Sequence, residues 1–391
     1  MTEKEEVKCL EFFSGIGGLH YAFITAGVFG EVVASFDMNE VANQVYKHNF
    51  KKTPVNKGIE FLNATDIQKY QANCWLLSPP CQPYTRGGKS LDDQDERAKG
   101  LLHLIDLLPE LQSPPKYIFL ENVKNFEYSR SRERLVGCLD DLDYEIHECL
   151  LSPLQFGIPN DRLRYYLMAC RKPSSSVIDK NKEKYVDTCQ IYTTWPFSDD
   201  KEKNELRLNG AFSELNTEDY LFELPKLESY LEKEDILETY QVPEKYITKT
   251  TSFRFDIVRP SDVRCSCFTK GYGSRHVYRS GSFLQTKKLE YTSYDWEHPE
   301  SLLDLGLRFF SPLEVARLHA FPVKRENDTE TPASESNSST PRPFRPHSKP
   351  PLLEFPDTIS TKQQYRLLGN SLNVWVIAEL MRCILFSPRQ E

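Results

Sequence analysis

Short apolar runs alternate with stretches of helical apolar spacing over roughly the first 170 residues. This alternation is typical of a parallel α/β sheet, in which each strand is followed by a crossover helix. The apolar runs predict strands at VKCLEFF (7–13), EVVASFD (31–37), CWLLS (74–78), YIFLENV (117–123) and RLRYYLMAC (162–170), with PVNKGIE (54–60) ending a further strand. Helices are predicted from about Leu19, over 41–50 and across AKGLLHLIDLLPEL (98–111).

The pattern changes after Lys172. Residues 175–245 are acidic and irregular, and 245–310 mix basic and aromatic residues with short strand-like pieces, which predicts a second, smaller domain. Residues 324–351 lack apolar spacing and are rich in Pro, Ser and Thr, so we expect them to be disordered. Order resumes at QQYRLLGNSLNVWVIAELMRCIL (363–385). We therefore divide the chain into a first domain (1–174), a small domain (175–323), a disordered insertion (324–351) and a C-terminal segment that returns to the first domain (352–391).

Charge is distributed unevenly, although the net charge is only −8. Residues 198–244 contain 14 acids and 5 bases, a net charge of −9. Residues 245–290 contain 10 Lys or Arg and 3 acids, a net charge of +7. The acidic average therefore hides a basic region and does not exclude a nucleic-acid partner.

Compartment and metal content can also be inferred from composition. The polar N-terminus MTEKEEVK is not a signal peptide, and no run approaches about 18 apolar residues, so we expect no membrane span. The ten cysteines form no CxxC pair, so neither a zinc site nor a disulfide framework is indicated. Reduced thiols favour the cytoplasm, with the nucleus as a second location.

FSGIGG (13–18) follows the first predicted strand and opens a helix. Glycines let a ligand approach the backbone, and the amides of a helix N-terminus favour a carboxylate or phosphate. Asp37 ends the second strand about 20 residues later, where an acid can hold ribose hydroxyls. Together these features indicate a nucleoside cofactor; the alternative is a tight turn with a capping aspartate.

LLSPPCQPYTRGG (76–88) places a single cysteine just beyond the fourth predicted strand. Ligands bind at the carboxyl ends of strands in open α/β sheets. Because proline fixes φ, Pro79, Pro80 and Pro83 limit where the Cys81 thiol can point. A cysteine thiolate is a strong nucleophile, so Cys81 is a candidate catalytic residue. The alternative is a buried structural cysteine.

The neighbouring strand ends in Glu121-Asn122-Val123, which places a carboxyl group at the same edge. A buried glutamate with a raised pKa can donate a proton. Arg162 and Arg164 are two apart on a predicted strand and should share one face, where they could hold a ring substituent or a phosphate. Each of these residues could instead be an ordinary surface charge.

Five motifs, SGIGG, SPPCQPY, ENV, RLR and RLLGNSLN, occur in the order and spacing of the cytosine-5 methyltransferases. CFTKGYG (267–273), with FGIPNDRLRYYL and QQYRLLGNSLNV, resembles one branch, the DNA methyltransferase homologue 2 family, whose members methylate aspartate tRNA. The likeness covers almost the whole chain, thins over 175–245 and fails in 324–351. It implies a Rossmann-like, S-adenosylmethionine-dependent methyltransferase domain with a mostly parallel sheet, plus a smaller target-recognition domain.

The resemblance implies four catalytic residues. Cys81 would add to C6 of cytosine and make C5 nucleophilic, and Glu121 would protonate or hydrogen-bond N3. Arg164, with Arg162, would position the base. C5 would take the methyl group of S-adenosylmethionine, leaving S-adenosylhomocysteine, and loss of the C5 proton would release the cysteine. The family's Gln-x-Arg-x-Arg begins here with Asn160.

The resemblance also implies a cofactor pocket. Ile16, Gly17 and Gly18 would wrap the methionine end, and Asp37 would hold the ribose. Ile59 and Glu60 would flank the adenine, in preference to Asp66, which we expect to cap a helix. The complete predicted set is Phe13, Ser14, Gly15, Ile16, Gly17, Gly18, Leu19, Asp37, Met38, Ile59, Glu60, Ser78, Pro80, Asn370 and Ser371.

Residues 85–100 could close over an extruded base as a lid, because attack on C6 requires the base to leave its stack. Gly87 and Gly88 would be the hinge; the alternative is an ordinary surface loop.

The leading functional hypothesis is a monomeric tRNA cytosine-5 methyltransferase acting on cytosine 38 in the anticodon loop of aspartate tRNA. Aromatic residues in the basic region suit phosphates and unstacked bases, although such side chains are more often core; they are Tyr246, Phe253, Phe255, Phe268, Tyr272 and Tyr278. The alternatives are a DNA cytosine-5 methyltransferase with the same chemistry and a non-catalytic nucleic-acid-binding protein.

Overall fold

The computed structural model describes residues 5–84, 92–172, 185, 190–194, 224–233, 236–249, 251–274, 278–324 and 349–386. Its strands are β1 (Val7–Phe12), β2 (Gly30–Phe36), β3 (Cys74–Leu77), β4 (Tyr117–Val123), β5 (Tyr144–Leu151), β6 (Asn160–Asp161), β7 (Arg164–Arg171), β8 (Ile191–Tyr192), β9 (Ile257–Val258), β10 (Cys265–Ser266), β11 (Phe283–Gln285) and β12 (Leu307–Arg308). Its α-helices are α1 (Gly18–Thr25), α2 (Glu40–Phe50), α3 (Ala64–Gln68), α4 (Lys99–Leu107), α5 (Arg130–Asp141), α6 (Leu237–Tyr240), α7 (Glu244–Ile247), α8 (Pro312–Leu318), α9 (Thr361–Gly369) and α10 (Val374–Leu380).

A seven-stranded sheet in the order β2-β1-β3-β4-β7-β5-β8 forms the centre of the fold. The pairs β1–β2, β1–β3 and β3–β4 are parallel, whereas β7 runs antiparallel to both β4 and β5. This arrangement confirms the predicted α/β class with a mainly parallel sheet. Its parallel strands bring their carboxyl ends to one edge, where ligands bind in such folds.

Two strand predictions need correction: one predicted strand is absent, and one observed strand was not predicted. The strand expected to end in 54–60 is absent: Val55 forms one isolated bridge to Phe36, and Ile59–Phe61 is a 3-10 turn. Pro54 has no N–H to donate and Gly58 favours a turn, so no ladder extends there. The sequence analysis also missed β5, because its run of residues YEIHECLL carries polar side chains on both faces.

Both faces of the sheet are buried. Alternation along β1 directs Cys9 to one side and Leu10 to the other, and each belongs to a different apolar cluster. Helices α1 and α10 pack together on the face of the sheet that Cys9 joins, and α4 and α5 lie on the face that Leu10 joins. Because both faces of the sheet are covered, the strand sequences are continuous apolar runs and do not alternate with polar residues.

The C-terminal segment Thr361–Leu385 is long and apolar enough to cross a membrane by length and composition alone, with a mean hydropathy of 1.2. In the structure 61% of its most apolar window is buried inside the protein. Helix α10 within this segment packs against α1, so its apolar character is that of a core helix.

Smaller sheets lie outside the central one: β12-β11-β9 form one, and β10 pairs with β6. Three predictions fall wholly or mostly outside the described residues: the Gly87–Gly88 hinge, the acidic segment up to residue 223, and the insertion over 325–348.

Candidate active site

A cavity of about 460 Å³ opens at the carboxyl ends of β1 to β4. The predicted catalytic residues Cys81, Glu121, Arg162 and Arg164 all line it. So do thirteen of the fifteen predicted cofactor residues: Phe13, Ser14, Gly15, Ile16, Gly18, Asp37, Met38, Ile59, Glu60, Ser78, Pro80, Asn370 and Ser371. The structure thus brings together side chains that are up to 358 positions apart in the sequence, from Phe13 to Ser371.

The other two predicted residues, Gly17 and Leu19, lie behind the cavity wall. Gly17 is the N-cap of α1 with φ of 86°, and a Cβ there would be 2.4 Å from the Phe50 ring. The position therefore requires glycine for backbone conformation and for space. Leu19 is 1% exposed and belongs to the core.

Asp37 is held at the cavity by backbone amides. Its carboxylate accepts hydrogen bonds from the N–H of Gly15 at 2.7 Å and of Asn39 at 2.7 Å. Burial raises the pKa of Asp37, and these amides oppose the shift. The carboxylate thus connects the glycine turn after β1 to the end of β2.

The cavity fits a cofactor that joins a nucleoside to an amino acid. Asp37 offers acceptors for ribose hydroxyls, and the Ser14 hydroxyl is buried on the wall with no partner among the described residues. Met38 and Ile59 supply apolar contact. The N-terminus of α1 begins at Gly18, where a Cβ would be 2.8 Å from Leu372, so this wall is closely packed. Asp66 lies elsewhere, in a capping box with Asn63 at the start of α3.

Cys81 lies four residues after the end of β3, and its carbonyl accepts from the N–H of Tyr84 at 3.0 Å to start a 3-10 turn. Burial raises the pKa of the Cys81 thiol, and the positive charge of Arg164 is the main opposing influence. The net direction is upward, so the Cys81 thiol keeps its proton to a higher pH than a free cysteine, and Arg164 limits that increase.

Glu121 and Arg164 face each other across β4 and β7. The Arg164 Nε lies 3.5 Å from Glu121 Oε1, and both side chains are largely buried. Because β7 is antiparallel, its first residue pairs with Val123 at the carboxyl end of β4. Burial raises the pKa of Glu121, and Arg164 opposes this increase. The carboxyl group therefore keeps its proton to a higher pH than a free glutamate.

Arg162 connects three distant segments. It precedes β7, is only 3% exposed, and donates to Cys267 Sγ at 3.1 Å and to the Phe268 carbonyl at 3.3 Å. It also donates to the Ser371 carbonyl. Burial alone would raise the pKa of the Cys267 thiol, but Arg162 and Arg164 lower it overall.

Sequence reasoning missed several cavity residues: Asn39, Ala42, Pro79, Gln82, Glu96, Arg97, Gly100, Asn122, Val123, Leu367, Gly369 and Leu372. Most are immediate neighbours of predicted residues, so adjacency to a motif was the available signal. Arg97 lies in the 85–100 segment, which was predicted as a lid without naming individual cavity residues. Its guanidinium pairs with Asp95 at 2.6 Å at the end of that segment.

Comparisons with known proteins agree with this geometry. The family model described as C-5 cytosine-specific DNA methylase matches residues 7–385. A Dictyostelium discoideum protein named DNA (cytosine-5)-methyltransferase is 34% identical, over 99% of this chain and 96% of its own length. The human tRNA (cytosine(38)-C(5))-methyltransferase is 35% identical, over 97% and 99%. The crystal structure of the S. pombe Dnmt2 methyltransferase superposes with a TM-score of 0.70 at 31% identity, over 97% of this chain and 98% of that one.

The motifs, the shared cavity and the near-complete coverage of these relatives point to the same enzyme chemistry. The chain belongs to the C-5 cytosine methyltransferase family, in its Dnmt2 branch.

Proposed function

We propose that this enzyme methylates C5 of cytosine 38 in the anticodon loop of aspartate tRNA, through a covalent bond between Cys81 and C6 of the base. The main support is that Cys81, Glu121 and Arg164 line the same cavity as the residues suited to a nucleoside cofactor. The proposed tRNA substrate rests on the human relative, whose name specifies cytosine 38 of a tRNA.

Cys81 is the proposed nucleophile. Its thiolate attacks C6, and the electrons displaced from the C5–C6 bond would place negative charge on the ring. Glu121, whose pKa is raised by burial, donates its proton toward N3 and prevents that charge from accumulating. Arg164 lies beside Glu121 and favours the thiolate form of Cys81.

Asp37, Ser14 and the turn around Gly15 are the residues that would hold S-adenosylmethionine. When bound, this cofactor supplies an electrophilic methyl group for C5 and leaves as S-adenosylhomocysteine. Loss of the C5 proton to a solvent base then breaks the bond between C6 and the Cys81 sulfur, and N3 returns its proton to Glu121. These steps restore the aromatic ring, the Cys81 thiolate and the protonated carboxyl group.

A second cavity, of about 660 Å³, supports a nucleic-acid substrate. Lys270, Lys362 and Arg366 line it together with Tyr246, and within the described residues none of the three cations is paired with a carboxylate. Unpaired cations on one wall suit an RNA phosphate backbone. Three of the predicted aromatic platforms, Phe255, Phe268 and Tyr272, are instead buried in the core.

We further propose that residues 175–323 recognise the target and that the enzyme acts as a monomer in the cytoplasm, with the nucleus as a second location. The nine cysteines that the structure describes are free thiols, which supports a reducing compartment.

A DNA substrate is the second candidate, because the Dictyostelium relative is named as a DNA methyltransferase. Bisulfite sequencing of aspartate tRNA after incubation with enzyme and cofactor tests the proposal, and we expect methylation at cytosine 38 only. Tritium transfer to total small RNA and to genomic DNA runs in parallel. Label in DNA alone would contradict the tRNA assignment, and label at other tRNA positions would contradict the site.

A further inference from the structure

Tyr128 is the most exposed large apolar side chain among the described residues, at 83%. We propose that its ring is a stacking platform for a base next to the target cytosine in the RNA substrate. This inference rests on the proposed function, and it names a contact outside the catalytic cavity.

The chain connection of Tyr128 to β4 keeps it within about 18 Å of the cavity lining. Tyr128 ends the 3-10 turn Phe126–Tyr128, which follows β4. Val123, the last residue of β4, lines the cavity. The five residues from Val123 to Tyr128 can span at most about 18 Å, which sets this limit. The same strand carries Glu121, so the turn and the catalytic carboxyl share one support.

The backbone on both sides of Tyr128 is fixed. Phe126 is fully buried, and its ring centroid lies 4.8 Å from that of Tyr84, three residues after Cys81. On the other side, the Ser129 hydroxyl donates to the Phe126 carbonyl at 2.7 Å and accepts from the Arg132 N–H at 3.0 Å, capping α5. The Tyr128 N–H donates to the Asn125 carbonyl at 3.2 Å.

The ring itself is free to receive a ligand. Within the described residues the Tyr128 side chain makes no hydrogen bond and no contact with another aromatic ring. A single exposed aromatic side chain is normally unremarkable. This one is held by a rigid turn, so only its own side-chain torsions would be restricted on binding.

A nucleic-acid base is the occupant that this arrangement fits. Extruding one base leaves its neighbours unstacked, and an aromatic ring can replace the lost stacking. Lys124, at the start of the same turn, adds a positive charge for the adjoining phosphate. A protein partner would need a larger apolar patch than one ring.

The test uses the full chain, an aspartate tRNA anticodon stem-loop and the variants Tyr128→Ala and Tyr128→Phe. Phe29→Ala, an exposed aromatic residue at 61% that lies just before β2 at the opposite edge of the sheet, is the matched control. Loss of a stacked base costs about 1–3 kcal/mol, so we expect Tyr128→Ala to raise KM for the RNA about 5- to 150-fold. We expect kcat and KM for the cofactor to stay within about twofold, and Tyr128→Phe and the control to behave like wild type.

A second readout is independent of methyl transfer. With 2-aminopurine beside cytosine 38, binding of wild type should quench the fluorescence by stacking, and Tyr128→Ala should remove the quenching. Quenching without methylation would refute the proposed function alone. An unchanged KM and unchanged quenching in Tyr128→Ala would overturn the platform, as would quenching that Tyr128→Phe fails to retain.

Discussion

Cys81 and Glu121 share one electrostatic environment. Burial raises the pKa of both groups, and the positive charge of Arg164 opposes both shifts. Both groups therefore hold their protons to a higher pH than in water, and one guanidinium limits both increases. Glu121 is thus suited to the proposed role of proton donor, and Arg164 is the group that most eases ionisation of Cys81.

Replacing Cys81 with alanine should abolish methyl transfer, because no other thiol among the described residues lines the cavity to form the bond to C6. Cofactor binding should remain within about twofold, since Asp37 and the glycine turn are untouched. Tritium transfer to tRNA and calorimetric binding of S-adenosylhomocysteine measure the two effects. Cys138→Ala, a thiol on α5 that does not line the cavity, is the control. Undiminished transfer by Cys81→Ala would refute the proposed covalent mechanism.

At the level of elements, α1 starts without a side-chain cap, because Gly17 occupies its N-cap position. The buried Glu11 on β1 supplies the missing acceptor: its carboxyl group accepts from the His20 N–H at 3.1 Å and from the Tyr46 hydroxyl at 2.9 Å. Burial raises the pKa of Glu11 to about 8, and these hydrogen bonds oppose the shift. The helix that follows the glycine turn is thus held by a buried carboxyl group that resists ionisation.

This environment predicts a pH-dependent stability. The ordinary pKa of glutamate is 4.5, whereas the pKa of Glu11 in the folded chain is about 8. Between these two pH values the folded chain retains a proton on Glu11 that the unfolded chain releases. The contribution of Glu11 is therefore complete below pH 4.5 and is lost as the pH rises through 8, by up to about 1.4 kcal/mol per pH unit. Glu11→Gln should remove this component. Chemical denaturation at pH 5, 6.5 and 8 measures it, and parallel losses in both proteins would contradict it.

At the scale of the whole molecule, the proposed substrate contacts come from distant parts of the chain. Lys270 follows β10, whereas Lys362 and Arg366 lie on α9. Close packing joins these segments: a Cβ at Gly273 would be 2.3 Å from the Tyr365 ring, and one at Gly369 would be 2.3 Å from the Thr269 backbone. The basic wall therefore exists only in the folded chain.

The double variant Lys362→Ala, Arg366→Ala should weaken tRNA binding and reduce its salt dependence. Each lost phosphate contact lowers the slope of log K against log salt by about 0.7–0.9. Binding titrations at several salt concentrations measure it. Lys52→Ala, at a lysine outside residues 175–323 that is paired with Glu31 at 2.9 Å, is the control. A weaker complex with an unchanged slope would mean that the two cations do not contact phosphates.

The amino-acid sequence determined the local features. Apolar runs located β1, β2, β3, β4 and β7, and short motifs identified Cys81, Glu121 and the glycine turn. The strand predictions succeed because strand period depends on neighbouring residues, whereas the catalytic roles of Cys81 and Glu121 stay predictions. The strand expected to end in 54–60 was wrong, because Pro54 and Gly58 limit its pairing to a single bridge between Val55 and Phe36.

Only the tertiary structure decided which of these residues meet. The antiparallel direction of β7 sets Arg164 against Glu121, and folding of the C-terminal segment brings Ser371 to Arg162, 209 positions away. It also decided that Phe268 and Tyr272 are core while Tyr128 is exposed. Strand direction, burial and pKa shifts depend on contacts between segments far apart in the chain, and no local pattern of residues records those contacts.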